Sequence, residues 1–156
     1  MIVSVLDREG AMEKHIKTFD QLTTEELYAL IHLREKVFVV EQQCAYLDAD
    51  GHDIDAVHVW LSDERGIVAY CRVLDRGAAF EDVSLGRVIA VYRREGLGTQ
   101  VVRLGIDVAR ERFRARRIVI EAQTYARKLY ENLGFRQTSD EFLEDGIPHI
   151  QMTLNL

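Results

Sequence analysis

Apolar and polar residues alternate from Met12 to Phe19, the period-two pattern of a half-buried strand. Thr23-Thr24-Glu25-Glu26 then opens a helix, because the Thr23 hydroxyl and the Glu26 carboxylate stand at capping-box spacing. Behind them Leu27, Leu30, Ile31, Leu33, Val37 and Phe38 recur at helical spacing over about four turns. Ala45 to Asp55 is polar and acidic and reads as a loop. Val57 to Leu61 and Ile67 to Leu74 read as strands of a hairpin turning at Asp63-Glu64-Arg65-Gly66. An apolar strand, Ser84 to Val91, runs into the loop Tyr92 to Gly98. The helix after it has Leu97, Val101, Leu104, Ile106, Val108 and Ala109 as apolar positions. Arg117 to Ala122 is a strand of the buried type, Tyr125 to Leu133 a short helix, and Gly134-Phe135 starts another extended segment. His149 to Leu156 is a last strand. The order β-α-β-β-β-α-β-α-β predicts one central sheet with helices on its faces.

Composition keeps this to one domain, residues 1–156, with no repeat, linker or low-complexity stretch. A chain of this length buries roughly 68–70% of its unfolded surface, so neither disulfides nor a metal is needed for stability. Met1 to Leu6 is apolar, but no basic segment precedes it and Asp7-Arg8-Glu9 ends it, which does not describe a signal peptide. No apolar run approaches the roughly 18 residues of a membrane helix. Cys44 and Cys71 lack partner-like spacing, so a reduced, cytoplasmic protein is expected. A net charge of −6 and a pI near 5.4 argue against a nucleic-acid partner and permit a cationic substrate.

The strongest local feature is strand, then Arg93-Arg94-Glu95-Gly96-Leu97-Gly98-Thr99, then helix. Glycines allow a tight turn and close approach of backbone to a ligand, and the first helical N–H groups point outward at the positive end of the dipole. That suits a pyrophosphate, although a plain turn before a helix has the same residues. A Walker loop needs Lys-Ser or Lys-Thr where Thr99-Gln100 stands, and a dinucleotide fingerprint needs three glycines where two are present.

Together these residues resemble the GNAT superfamily of N-acetyltransferases. Arg93-x-x-Gly96-x-Gly98 is similar to its acetyl-CoA pyrophosphate loop, where a basic residue precedes two glycines. Gln123-x-x-Ala126-x-x-Leu129-Tyr130-x-x-Leu133-Gly134-Phe135 is similar to its second signature, with Gln where many members carry Asn. The ElaA-like branch matches on Leu27-Tyr28-Ala29-Leu30, on Arg34-x-x-Val37-Phe38-Val39-Val40-Glu41-Gln42-x-Cys44 and on Asp48-x-Asp50-Gly51. It matches again on Gly86-Arg87-Val88-Ile89 and on Glu144-Asp145-Gly146-Ile147-Pro148-His149. The resemblance runs from Leu22 to Met152. It departs between Gly86 and Arg93, where the chain is shorter than the family pattern, so the strand ends early or the turn into the loop is tighter.

The resemblance implies an α/β (α+β) protein with the GNAT acyl-CoA N-acyltransferase fold. Its central, mostly antiparallel mixed sheet is splayed between the fourth and fifth strands, with helices on both faces. It implies direct attack of a small-molecule or peptide primary amine on acetyl-CoA in a ternary complex, without a metal, and a homodimer as a candidate assembly. Arg93, Arg94, Glu95, Gly96, Gly98 and Thr99 would surround the pyrophosphate. N–H groups along Val88, Ile89 and Ala90 would face the thioester carbonyl, and the pantetheine arm would lie between that strand and Arg117 to Gln123. Tyr130 stands where the family carries its general acid. A phenol of pKa about 10 can protonate a thiolate whose conjugate acid is near 8.5, while packing beside Leu129 and Leu133 is the other use of such a residue.

The amine must also lose a proton. A lysine-like amine at pH 7 is only about 0.1% neutral, which costs roughly 4 kcal/mol without help. Val83 to Val91 holds no acid, and Arg87 occupies its middle. Glu41 is the candidate base or amine anchor, with a solvated helix-end acid or a partner for Arg34 as the alternatives. Arg34, Gln42, His58 and His149 are candidate acceptor-site residues; for His58 and His149 a hydrogen-bonded structural imidazole is the other reading.

Asp48-Ala49-Asp50-Gly51-His52-Asp53 fails the calcium-loop pattern and reads as loop acids facing solvent or a cationic acceptor. Arg110, Arg112, Arg114, Arg116 and Arg117 suit the negative end of the long helix. Two alternatives of function remain: a non-catalytic acyl-CoA-binding or regulatory module, and an acyltransferase that uses a longer acyl-CoA.

Overall fold

A computed structural model describes residues 11–156, so the expectation for Met1 to Leu6 lies outside the described residues. The alternating segment is β1 (Glu13–Thr18), and the capping box then starts α1 (Thr24–Arg34). The Thr23 hydroxyl accepts from the Glu26 amide at 3.1 Å, and the Glu26 carboxylate accepts from the Thr23 amide at 2.9 Å. The same carboxylate holds Lys17 Nζ at 2.9 Å, tying the helix start to β1. The periodic segment beyond Arg34 does not continue as α-helix. It widens into a π-helical stretch, Glu35–Glu41, a form often found beside functional sites.

The hairpin is β2 (Val57–Asp63) and β3 (Gly66–Leu74), and β4 (Val83–Ala90) runs antiparallel to β3. After α2 (Leu97–Phe113) come β5 (Arg117–Gln123), α3 (Arg127–Asn132), β6 (Arg136–Gln137), β7 (Phe142–Glu144) and β8 (Ile147–Asn155). Strand β7 is absent from the sequence reading. Three residues opposite Ile147-Pro148-His149 are too few for a period-two signal, and the Glu144–Ile147 turn creates the pairing.

The sheet order is β1-β2-β3-β4-β5-β8-β6, with β7 also on β8. Every pairing is antiparallel except β4 with β5. Those two parallel strands match only at Val83–Ile118 and Ser84–Val119, then part. On one face α2 buries Val101, Val102, Ile106 and Ala109 with Val59, Leu61, Cys71 and Val73. The helix lies so close that a Cβ on Gly105 would overlap Leu85 Cδ2 and stand 3.0 Å from Cys71 Sγ. On the other face Leu30 of α1 packs with Trp60, Tyr70 and Ile89.

Candidate active site

The wall of the opening is shaped by an extra residue in β4. Arg72 pairs with Gly86, and the next pair on β3 is Tyr70 with Ile89, so β4 advances three positions for two on β3. Arg87 at φ 53° is the bulged residue. Pairing resumes at Ile89 and Ala90, and the Val91 amide still donates to Val68 O at 2.9 Å. The strand therefore does not end early; the tight part is the turn that follows.

That turn carries Arg94 at φ 63° and Gly96 at φ 71° into α2. The first helix hydrogen bond is Gln100 N to Gly96 O at 3.0 Å, and the amides of Leu97, Gly98 and Thr99 bond to no other described residue. These are donors a helix start leaves free for an anion. The Glu95 carboxylate is held by Arg65 at 3.0 and 3.1 Å, while that guanidinium stacks 4.0 Å over the Tyr92 ring. Arg93 and Arg94 are exposed and form no salt bridge with another described residue. Gly98 lies close against its neighbours: a Cβ there would meet Leu129 Cδ1 at 2.9 Å and Ala90 Cβ at 3.8 Å. The start of α2, the end of β4 and α3 thus converge at one point.

Tyr130 is the next residue on α3. It is buried, with its ring edge-on to Phe135 at 5.7 Å between centroids. Burial pushes its phenol up, so the hydroxyl is a proton donor at neutral pH.

At the far end of β5, Gln42 and Gln123 exchange amide hydrogen bonds of 3.1 and 3.3 Å, joining the end of the π-helical stretch to the strand. His149 sits opposite Gln123 in register. Its Nδ1 donates to Ile147 O at 2.7 Å, its ring stacks on Phe142, and Nε2 faces Glu144 at 3.6 Å. Glu121, two residues before Gln123 and so on the same face, approaches Glu144 as well. Glu121 is exposed, but partial desolvation and the facing Glu144 carboxylate raise its pKa. Glu121 and Glu144 were missed in the sequence, although the period of two along β5 places Glu121 beside Gln123. Glu41 is exposed and forms no salt bridge with another described residue; Arg34 is paired elsewhere.

Two expected acceptor residues are corrected by their burial. Arg34 is fully enclosed, with Nε donating to Asp48 at 2.7 Å and Nη1 to Asp53 at 2.6 Å, and holds a loop instead of meeting an acceptor. His58 is 1% exposed, with its nitrogens 2.8 Å from the Tyr70 hydroxyl and 2.9 Å from Asp53 O. Burial lowers its pKa, so it is a neutral, structural imidazole. The loop acids also differ from expectation. Arg72 grips Asp50 at 2.7 and 2.8 Å and Asp53 at 2.9 Å, and Arg87 Nε stands 2.7 Å from Asp48 Oδ1. Asp48, Asp50 and Asp53 are matched by Arg34, Arg72 and Arg87, leaving little charge for a cationic ligand.

The family model described as an acetyltransferase (GNAT) domain matches residues 8–156. A UPF0039 protein of Schizosaccharomyces pombe is 38% identical over 144 residues, covering 90% of this chain and 95% of that one. Protein ElaA of Escherichia coli is 38% identical over 138 residues, covering 85% and 89%. In solved structures, E. coli ElaA superposes with a TM-score of 0.86 at 33% identity, over 93% of this chain and 100% of that one. An acyl-CoA N-acyltransferase from Pseudomonas aeruginosa gives 0.84 at 35% identity, over 92% and 99%.

Proposed function

Because the chain belongs to the GNAT acetyltransferase family, we propose that it moves the acetyl group of acetyl-CoA to a primary amine by direct attack. The observation that carries this reading is the parting of β4 from β5 beyond Ser84 and Val119, with the free amides of α2 next to the end of β4. In this account the Leu97, Gly98 and Thr99 amides, with Arg93 and Arg94, take the pyrophosphate. Gly96 supplies the turn. The pantetheine arm enters between the parted strands, and Val88 and Ala90 turn backbone donors toward the thioester carbonyl, where negative charge develops, while Ile89 between them pairs with Tyr70 on β3.

The amine attacks that carbon from the face that holds Gln42, Gln123 and His149. As the carbon–sulfur bond breaks, Tyr130 gives its phenolic proton to the departing thiolate, and burial keeps that proton in place until then. The proton lost by the amine goes to a carboxylate or through water; Glu41 is exposed and free of ion pairing for that task. No helix among the described residues is long and apolar enough to cross a membrane. Free, buried Cys44 and Cys71 support a reducing compartment such as the cytoplasm.

The test is thiol release from acetyl-CoA across a panel of small amines, peptide N-termini and lysine peptides, with hexanoyl- and octanoyl-CoA in parallel. Amine-dependent release from acetyl-CoA supports the reading. Binding without turnover on any amine would leave a non-catalytic module, and faster release from octanoyl-CoA would make the donor a longer chain.

A further inference from the structure

A left-handed residue in the middle of a strand costs free energy for any side chain but glycine. Gly86 stands immediately before the bulge of β4, yet it keeps an ordinary φ, and Arg87 takes φ 53° instead. The Arg87 side chain reaches out of the strand to the 48–50 loop. Its Nε lies 2.7 Å from Asp48 Oδ1, and its Nη2 lies 3.1 Å from Asp48 O and 3.4 Å from Asp50 Oδ2. Its guanidinium carbon stands 5.5 Å over the Tyr46 ring, whose hydroxyl donates to the other side of the contact, Asp48 Oδ1, at 2.6 Å.

The anchor does not give. Asp48 is held from α1 by buried Arg34, and Asp50 from β3 by Arg72, the residue paired with Gly86 across the sheet. An ion network anchored on α1 and β3 thus grips Arg87, by an Nε ion contact and two Nη2 hydrogen bonds, at the residue whose backbone sets the bulge. The bulge lies beyond Ser84, where β4 has parted from β5.

We propose that Arg87 is a positioning residue: its grip on Asp48 and Asp50 holds the β4 bulge and so aims the Val88 amide at the thioester carbonyl, while the Ile89 amide stays paired with Tyr70 across the sheet. Arg87 itself touches neither substrate. The proposal rests on the acetyl-CoA reading above, and extends it by assigning the alignment of that wall to the arginine–aspartate network. Such alignment is worth most when carbonyl oxygen becomes oxyanion, so its loss falls on turnover more than on binding.

The test uses Arg87→Gly, which removes the grip while allowing the left-handed backbone, with Arg87→Lys beside it. In the protein without substrate, exchange of the Ile89 amide, the first to pair with β3 after the bulge, is expected to speed up about tenfold in Arg87→Gly relative to amides earlier in β4. With carbonyl-labelled acetyl-CoA, the wild type is expected to shift the thioester C=O stretch to lower frequency and Arg87→Gly to lose that shift. Turnover should fall about tenfold or more while the affinity for free CoA stays within about twofold. Lysine restores the charge but not the forked contacts, so partial recovery is expected. A folded Arg87→Gly protein with wild-type exchange, carbonyl shift and turnover would overturn the positioning role alone. A wild-type protein that does not bind acetyl-CoA would overturn the reading beneath it, and the role with it.

Discussion

Arg34 Nε donates to Asp48 Oδ2 at 2.7 Å, with the two side chains 0% and 3% exposed. One end of this bond is on α1 and the other in a loop 14 residues later, so it fixes where the acidic loop lies against the sheet. Arg34→Met takes the buried cation from both Asp48 and Asp53, leaving them only Arg87 and Arg72, at a cost approaching the ~3–5 kcal/mol of a broken buried ion pair. Chemical denaturation should show that loss as a lower midpoint at unchanged slope.

The same network sets the acid limit of the fold. Burial raises the carboxyls of Asp50 and Asp53, but hydrogen bonds and charge from Arg72, with Arg87 for Asp50 and Arg34 for Asp53, outweigh it and hold both below the usual range. A depressed carboxyl contributes stability above its unfolded pKa, about 3.9, and loses it as pH falls through the folded value. Melting temperature should therefore fall steeply below about pH 4. Asp53→Asn should flatten that slope while lowering stability at pH 7.

Glu121 has the opposite sign. Partial desolvation and Glu144 raise its pKa, so the folded state holds its proton more tightly than the unfolded state. Its cost is absent below the unfolded value of about 4.3 and grows as pH rises through the folded value. Glu121→Gln should be neutral at pH 4 and stabilising at pH 8, which melting curves at the two pH values decide.

Gly105→Ala should destabilise by about 1–3 kcal/mol, because the added methyl overlaps Leu85 and crowds Cys71 in a packed interior. Gly98→Ala meets only the end of the Leu129 side chain, a group that can swing aside, so its cost should be smaller. Calorimetric melting of both variants gives the comparison.

Tyr130→Phe should lower turnover about 100-fold with acetyl-CoA affinity within about threefold, since the ring still packs on Phe135 and only the proton donor is gone. Equal turnover in the two proteins would remove Tyr130 from the chemistry.

The parts legible in the sequence were those written locally. Thr23 and Glu26 announced the start of α1, and Asp63 to Gly66 announced the hairpin. The glycine-containing turn before α2 and the second motif around Tyr130 marked the opening between β4 and β5. What stayed hidden depends on partners far along the chain. Gly86-Arg87-Val88-Ile89 reads as one continuous strand, and only pairing with β3 shows the extra residue. That Arg34, Arg72 and Arg87 pair with loop acids shows only once the loop of Asp48 to Asp53 folds between them, 14 to 39 residues away. The π-helical stretch after Arg34 left no mark on a helical apolar period.

The most direct measurement is a calorimetric titration of acetyl-CoA into the purified protein, with ATP and NAD as controls. One saturable site for acetyl-CoA, weakened by removing the charges of Arg93 and Arg94 and absent for the other two nucleotides, is the predicted result. No heat at several temperatures, together with no thermal shift, would contradict the account.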